Sequence, residues 1–283
     1  MRQLLQHKVK SAASLLLAAA AALSLAGCAT SWKYDPITDV NDLQGRRVGV
    51  NLAWESDYYL TPRTDMTLYR YRSTGDMIMA LSYDKVDAVA IDDLMWKLMA
   101  SKSQGLARVE PAFGETGYIM YFGADDEALS EDFNEFLSAY KTTEGYRDFI
   151  RREKEFDGEN YAEPDIPLTG TGEALRVAFS PEDYPRSFLD AGDEIPYGFD
   201  LEMLKHYAND RNYRLEFYPS NYNDAIMSLM RNDYDIYTGY LGDVYREEVL
   251  QSGLFTSDPM DSTPLYFVQK TRQSIAVDTA ALE

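Results

Sequence analysis

Two stretches in the second half of the chain decide the fold. Residues 175–188 read LRVAFSPEDYPRSF, and residues 197–204 read YGFDLEML. The apolar run from Leu175 to Phe179 predicts a buried strand, and the pattern from Phe199 to Ala208 predicts a helix. The alternation continues, with strands expected at 213–218, 235–238 and 264–268 and helices at 222–231 and 243–250. Strands that alternate with helices indicate parallel pairing, so we expect an α/β fold.

A second α/β stretch precedes this one, between about residues 42 and 157. Arg47 to Val50 and Val86 to Ala90 predict short buried strands, each with a helix after it. Further strands are expected at 67–71, 109–113 and 118–122, and helices at 74–81, 92–99, 127–140 and 143–154. Residues 156–172 separate the two stretches with three glycines, two prolines and no periodicity, which predicts a linker.

The N-terminus indicates export. Arg2, Lys8 and Lys10 precede an apolar run from Ala12 to Leu25, which is shorter than the roughly 20 residues that a membrane-spanning helix needs. The run ends in LAGC at residues 25–28 and looks like a bacterial lipobox, so residues 1–27 are expected to be a signal peptide and Cys28 to be lipidated, for example by palmitate. An ordinary cleaved signal with an incidental cysteine is the alternative.

Composition excludes several classes of function. Removal of residues 1–27 lowers the number of Lys and Arg from 27 to 24 against 47 Asp and Glu, a net charge near −23. Such a surface repels nucleic acid, so no nucleic-acid partner is expected. Cys28 is the only cysteine and His206 the only histidine after residue 27, which argues against a disulfide, a metal site or a cofactor held by these residues.

The quoted motifs resemble the polar amino-acid type of bacterial extracellular solute-binding protein, family 3. The 175–204 segment is similar to the opening of that family's first lobe, as are residues 217–235 and 255–259. Residues 42–50, DLQGRRVGV, are similar to the entry into its second lobe, and residues 86–92 and 118–122 to that lobe's core and return strand. The resemblance covers nearly all of residues 42–270. It implies a two-lobed type II periplasmic-binding fold with two mixed or parallel sheets and a hinge.

The order of the lobes is reversed relative to the family, which indicates a circular permutation. On this interpretation residues 28–41 are a tether, 42–117 the small lobe, and 118–155 with 173–270 the large lobe. Residues 156–172 join the family's usual termini, and 271–283 form a tail. Permutation is tolerated where termini are close and exposed. A fragment of a tandem array, or a chain that exchanges lobes with a neighbour, is the alternative.

The resemblance also implies two charged ligand contacts. In the family an Arg seven residues after a strand-end Gly holds the ligand carboxylate, and Arg246 keeps that spacing from Gly239. An Asp at the end of the second-lobe strand holds the ligand ammonium group, and Asp92 occupies that place. Arg246 could instead pair with Glu247 or Glu248 on a solvated helix, and Asp92 could instead be a helix N-cap.

Further residues are expected around the ligand, and some depart from the family. Tyr184, Phe188, Tyr222 and Tyr240 are the aromatic candidates, each of which could equally be core. Asp243 stands where the family usually has Thr, and the family's Gly-Thr-Thr-Gly turn is replaced by the segment Ala53 to Ser56. Trp54, Glu55 and Ser56 therefore join the predicted site. Asp92, Asp243 and Glu55 together predict a pocket that prefers a cationic or amine-bearing ligand.

The predicted function is capture of an amino acid or related small amine by lobe closure. We expect a lipid-anchored monomer on the extracytoplasmic, periplasmic side of a bacterial membrane, which delivers its ligand to an ABC-type uptake permease. No enzymatic activity is expected. A sensory or accessory lipoprotein is the main alternative, and a dehydratase- or transglycosylase-like enzyme with Glu55 as acid is a further one.

Overall fold

The structure is a computed structural model that describes residues 36–162, 164–271 and 276–277. The predicted signal peptide, the lipidation site at Cys28 and most of the predicted tether lie outside these residues. Ile37–Glu283 form one compact unit. Within the described part, no helix is both long and apolar enough to cross a membrane.

Two five-stranded mixed sheets form the core of the two lobes. The first has the order β2-β1-β3-β13-β5 and the second the order β10-β7-β11-β6-β12. The first sheet contains β1 (Arg47–Asn51), β2 (Thr67–Tyr71), β3 (Ala88–Asp92), β5 (Leu106–Tyr118) and β13 (Asp261–Lys270). The second contains β6 (Tyr121–Phe122), β7 (Ala174–Phe179), β10 (Arg214–Pro219), β11 (Ile236–Thr238) and β12 (Phe255–Thr256). This confirms the predicted α/β fold with two mixed sheets.

Each sheet is built in the same way. Three strands pair in parallel, and an antiparallel strand that arrives from the other lobe follows them. The short pairs are β4 (Ser103–Gln104) with β14 (Ala276–Val277) and β8 (Glu182–Asp183) with β9 (Ser187–Phe188). The carboxyl ends of the parallel strands therefore carry the loops that connect to the helices, where α/β proteins place their ligands.

Eight α-helices cover the sheets in the described residues. They are α1 (Glu55–Leu60), α2 (Thr74–Ser82), α3 (Asp93–Lys102), α4 (Glu127–Tyr140), α5 (Glu144–Glu155), α6 (Phe199–Arg211), α7 (Tyr222–Leu229) and α8 (Arg246–Gln251). Side-chain caps fix several helix starts: Ser73 accepts the N–H of Asp76, and Thr143 accepts that of Tyr146. No helix or strand lies in the described residues of the predicted linker, 156–172.

The chain crosses between the sheets twice, which corrects one predicted boundary. The first crossing is at residues 119–120 and the second at 257–260. Residues 261–270 were expected to lie in the large lobe, but β13 pairs with β3 and β5 of the first sheet along its length. The local pattern predicts a strand there but not its partners. Because β12 is only two residues long, the change of sheet leaves little trace in the sequence.

The lobes are held together by contacts of α3. Leu94 is 1% exposed and belongs to the core of the second lobe, although α3 follows a strand of the first sheet. Lys97 Nζ donates to the carbonyls of Glu153 and Lys154 at 3.2 and 2.8 Å, and Ser101 Oγ donates to the carbonyl of Gly158 at 3.0 Å. The small lobe is thus docked on α5 and on the linker.

Leu94→Ala is expected to destabilise the protein by about 2–5 kcal/mol, because it leaves a cavity in a core that both lobes share. The free energy of unfolding would be measured by urea titration. The control is Leu52→Ala, since Leu52 is 46% exposed and its loss should change stability by no more than about 0.5 kcal/mol. Equal effects of the two substitutions would contradict the shared core.

Candidate functional site

A tight turn of the small lobe meets a loop of the large lobe. The indole of Trp54 stacks on the ring of Tyr240 with centroids 5.6 Å apart, and Tyr245 donates a hydrogen bond to the Trp54 carbonyl at 3.2 Å. The turn depends on Ala53, which adopts a left-handed φ of 62° and donates its N–H to Asp57 at 3.1 Å. Residues 52–56 are therefore held against the large lobe.

Glu55 is enclosed at this contact. It is 4% exposed and lies against Gly242, where an added Cβ would come within 2.3 Å of Glu55 Oε1. Burial raises the pKa of Glu55 to about 8, and the charges of Asp92 and Asp243 act in the same direction. At neutral pH the carboxyl of Glu55 is therefore largely protonated.

Asp92 ends β3 and begins α3. Its Oδ1 accepts the N–H of Met95 at 2.9 Å, so it is the N-cap that the sequence left open as an alternative. Asp92 is 2% exposed, and burial raises its pKa while Arg186 opposes the shift. A capping role does not exclude a ligand contact, because a carboxylate has a second oxygen.

Arg186 is the buried cation of the lobe boundary, and the sequence analysis did not single it out. It is fully buried, and its three nitrogens face Asp200, Asp261 and Glu153 at 2.7, 2.8 and 3.2 Å. The guanidinium also stacks 3.7 Å above the ring of Tyr118. The signal in the sequence is weak, since Arg186 lies in the polar and aromatic segment SPEDYPRSF at 180–188 and no periodicity marks it as buried.

Carboxyl groups outnumber the guanidinium in this region. Burial raises the pKa of Glu153, and the neighbouring Asp261 acts in the same direction. Burial also raises the pKa of Asp200, whose Oδ2 accepts a hydrogen bond from Thr238 at 2.6 Å. The buried acids near Arg186 are Glu55, Asp92, Glu153, Asp200 and Asp261. Such a cluster needs protons or a further cation for its charge balance.

Two tyrosine hydroxyls at the same boundary have no hydrogen-bond partner among the residues that the structure describes. They belong to Tyr118, at the end of β5, and Tyr240, and both oxygen atoms are buried. The two rings pack edge to face with centroids 5.5 Å apart. Burial raises the pKa of both hydroxyls, and the charge of Asp92 is the next cause for each. Because unpaired buried hydroxyls are costly, they mark a position that a polar ligand group can fill.

Arg246 pairs with the second crossing and not with the buried acids. Its side chain is 37% exposed and pairs with Asp258 at 3.0 Å, so it is solvated as the alternative predicted, although the partner is neither Glu247 nor Glu248. The cation that acts on Asp92 is Arg186. The spacing from Gly239 fixes the distance along the chain but not the direction of the side chain, because a 3₁₀ turn, Asp243–Tyr245, precedes Arg246.

Asp243 points towards the first crossing. Its Oδ1 accepts the N–H of Gly117 at 3.1 Å and the hydroxyl of Thr116 at 3.3 Å. Ser56, also in the predicted set, is buried in the first turn of α1. Trp54, Glu55, Ser56, Asp92, Tyr240 and Asp243 therefore lie at or beside the boundary between the lobes.

Of the other predicted aromatics, Tyr184 packs against the cores of both lobes. Tyr184 contacts Phe188 edge to face with centroids 4.8 Å apart, and its hydroxyl donates to the carbonyl of Glu159 and accepts the N–H of Tyr161. These two rings therefore anchor the linker. Tyr222 is 49% exposed and lies at the start of α7.

A cavity of about 460 Å³ borders the boundary. It is lined by Ala53, Asp57, Tyr58, Thr61, Pro62 and Tyr245. Both lobes contribute to its wall, since Tyr245 comes from the large lobe. In the described residues, no group of three or more His, Cys, Asp or Glu side chains is arranged to hold a metal ion.

No protein-family model matches the sequence, and no curated protein is significantly similar to it. Solved structures with a similar arrangement include the probable amino-acid ABC transporter extracellular-binding protein ytmK of Bacillus subtilis, with a TM-score of 0.43 and 11% identity over 84% of this chain and 88% of that one. For holo ArgBP of T. maritima the TM-score is 0.38 and the sequence identity 13%, over 83% of this chain and 86% of that one. For the GluR0 ligand-binding core in complex with L-glutamate the TM-score is 0.41 and the sequence identity 11%, over 81% of this chain and 86% of that one. These low values carry no inference about the ligand of this chain.

The raised pKa of Glu55 should appear in the pH dependence of the protein's stability. Between its ordinary pKa of 4.5 and its folded value of about 8, the folded state keeps a proton that the unfolded state has lost, so stability falls as the pH rises through this window. Glu55→Gln should reduce the difference in unfolding free energy between pH 5 and pH 8 by a few kcal/mol, at about 1.4 kcal/mol per pKa unit. Urea titrations at both pH values would measure it.

The matched control is Glu135→Gln, since Glu135 is exposed on α4. It should leave the pH dependence of wild type unchanged. A Glu55→Gln protein with the wild-type dependence would show that Glu55 is not held protonated at the lobe boundary.

Proposed function

We propose that the chain is a solute-binding protein that captures a small amine-bearing solute, an amino acid or a related amine, between its two lobes. The observation that carries this proposal is the lobe boundary itself, where five buried carboxyl groups surround one guanidinium and two buried tyrosine hydroxyls are unpaired. An ammonium group supplies both the positive charge and the hydrogen-bond donors that this boundary lacks.

The two crossings would serve as the hinge for lobe closure. Trp54, Glu55 and Asp92 belong to one lobe and Tyr240 to the other, so a solute that contacts both sets stabilises the closed arrangement. Opening would separate the rings of Trp54 and Tyr240 and expose the carboxyl of Glu55. The cavity beside Ala53 and Tyr245 would be the entrance.

The proposal includes a circular permutation of the lobes. Both sheets have the same strand order, so an exchange of lobe order leaves the topology unchanged. The linker joins α5 to β7, both of which belong to the large lobe, as a bridge between former termini would. A monomer in which one chain supplies the strands of both five-stranded sheets is part of the proposal.

Membrane attachment and transport are also part of the proposal. The lipobox at residues 25–28 supports a lipid anchor on Cys28, which would place the chain on the extracytoplasmic side of a bacterial membrane. There it would deliver its solute to an ABC-type permease. An accessory or sensory lipoprotein would share this anchor but would not need a transporter.

An acid-catalysed reaction is a second candidate function, and the state of Glu55 favours it. A buried carboxyl group with a pKa near 8 is a competent general acid at neutral pH. Turnover of a bound amine that disappears in Glu55→Gln would support an enzyme. Binding without turnover would support the carrier.

A thermal-shift screen tests the proposal. The chain from residue 28, with Cys28 replaced by Ser, would be screened against amino acids and amines. A ligand at about 100 times its Kd stabilises the fold by about 2.7 kcal/mol, which raises Tm by several degrees.

Asp92→Asn should abolish that shift, since asparagine still caps α3 but lacks the charge. Arg246→Ala is the control and should keep the shift, because Arg246 is exposed and paired with Asp258. A shift lost in Arg246→Ala and kept in Asp92→Asn would move the site away from the lobe boundary. A well-folded protein that responds to no amine would favour the accessory function.

A further inference from the structure

The donors that could hold a ligand carboxylate are already occupied. Each of the three nitrogens of Arg186 faces a carboxylate, those of Asp200, Asp261 and Glu153. Its face is covered by the ring of Tyr118 at 3.7 Å. A fully buried guanidinium with a protein carboxylate on each nitrogen offers no free edge for the bidentate pair by which arginine recognises a free carboxylate.

The backbone donors at the boundary are occupied as well. The first turn of α3 could receive an anion, but Asp92 already accepts the N–H of Met95 there. Asp243 accepts the N–H of Gly117, and Asp57 accepts that of Ala53. In each case a carboxylate of the protein takes the position that a ligand carboxylate would need.

What remains available suits a cation. Burial raises the pKa of the Glu55 carboxyl, the charges of Asp92 and Asp243 act in the same direction, and the charge of Arg186 opposes them. The hydroxyls of Tyr118 and Tyr240 can accept hydrogen bonds from an ammonium group. The ring of Tyr240 and the indole of Trp54 provide faces for a cation.

We propose that the site between the lobes selects organic ammonium ions that lack a carboxylate group, and rejects the corresponding α-amino acids. This inference rests on the proposed function and names its ligand class. An α-carboxylate would have to lie beside the buried carboxyl of Glu55 without a free cation or N–H donor, so it would lose hydration, and it would meet the like charges of Asp92 and Asp243.

Pairs of ligands that differ by the carboxylate alone provide the test. They are 1,5-diaminopentane with L-lysine, agmatine with L-arginine, and tyramine with L-tyrosine. Thermal shifts of the chain from residue 28, followed by titration calorimetry of any pair that responds, would give the ratio of Kd values within each pair. We expect at least one amine to bind at least tenfold more tightly than its amino acid.

The methyl esters of the same amino acids separate charge from size. An ester keeps the bulk of the carboxyl group but not its charge, so it should bind within a fewfold of the amine. An ester as weak as the free amino acid would mean that size excludes the carboxylate, and would overturn the electrostatic argument.

Two variants link the selectivity to the named groups. Glu55→Gln should weaken amine binding at least tenfold, because the amide cannot ionise to balance a bound ammonium group, and Tyr118→Phe should weaken it severalfold, because it removes an acceptor. Asp84→Asn is the control, since the side chain of Asp84 is 75% exposed on the small lobe, and it should leave binding unchanged.

The outcomes separate this inference from the proposed function. Amino acids that bind as tightly as the amines would overturn the inference and leave a solute-binding protein. Tighter binding of the amines than of the amino acids would support both the inference and the proposed function. If neither member of any pair binds to the folded protein, both are overturned.

Discussion

The buried guanidinium of Arg186 is the interaction on which the rest of the structure depends. It lies between the two crossings, over the ring of Tyr118 at the end of β5 and in contact with Asp261 at the start of β13. Its other partners, Asp200 and Glu153, come from α6 and α5. A cation without access to water requires all these acids, since removing one partner from a buried ion pair commonly costs several kcal/mol. Arg186 therefore ties both crossings to the helices of the large lobe.

The acids that hold Arg186 also determine what the lobe boundary can bind. One positive charge cannot balance the surrounding carboxyl groups, so burial keeps a proton on Glu55. The protein's own carboxylates saturate the nearby N–H donors and leave aromatic faces and hydroxyls free. The proposed cationic ligand would find acceptors in these hydroxyls and carboxyl groups.

Two sets of contacts hold the lobes against each other in this structure. At the boundary itself, Trp54 stacks on Tyr240 and Glu55 lies against Gly242. Away from it, Leu94 inserts into the core of the large lobe, and Lys97 and Ser101 bind the carbonyls of α5 and the linker. The linker thus does more than join two segments, since it adds a surface on which the small lobe rests. That surface stabilises the closed arrangement even without a ligand. A ligand would then have a smaller open population to convert to the closed state.

The sequence by itself determined the α/β class, the two lobes and the strand-end positions of the candidate residues, because hydrophobic periodicity and turn residues are local properties. It also indicated the acidic boundary, since Glu55 and Asp243 depart from the family's pattern and add to the charge of Asp92. The tertiary structure alone decided that the buried cation is Arg186 and that Arg246 is exposed, and it placed residues 261–270 in the first sheet. These three outcomes depend on which side chains and strands meet across distant parts of the chain. Spacing along the sequence does not specify those contacts. Whether an arginine is buried depends on the acids that surround it, and Asp200, Asp261 and Glu153 come together only when the chain is folded.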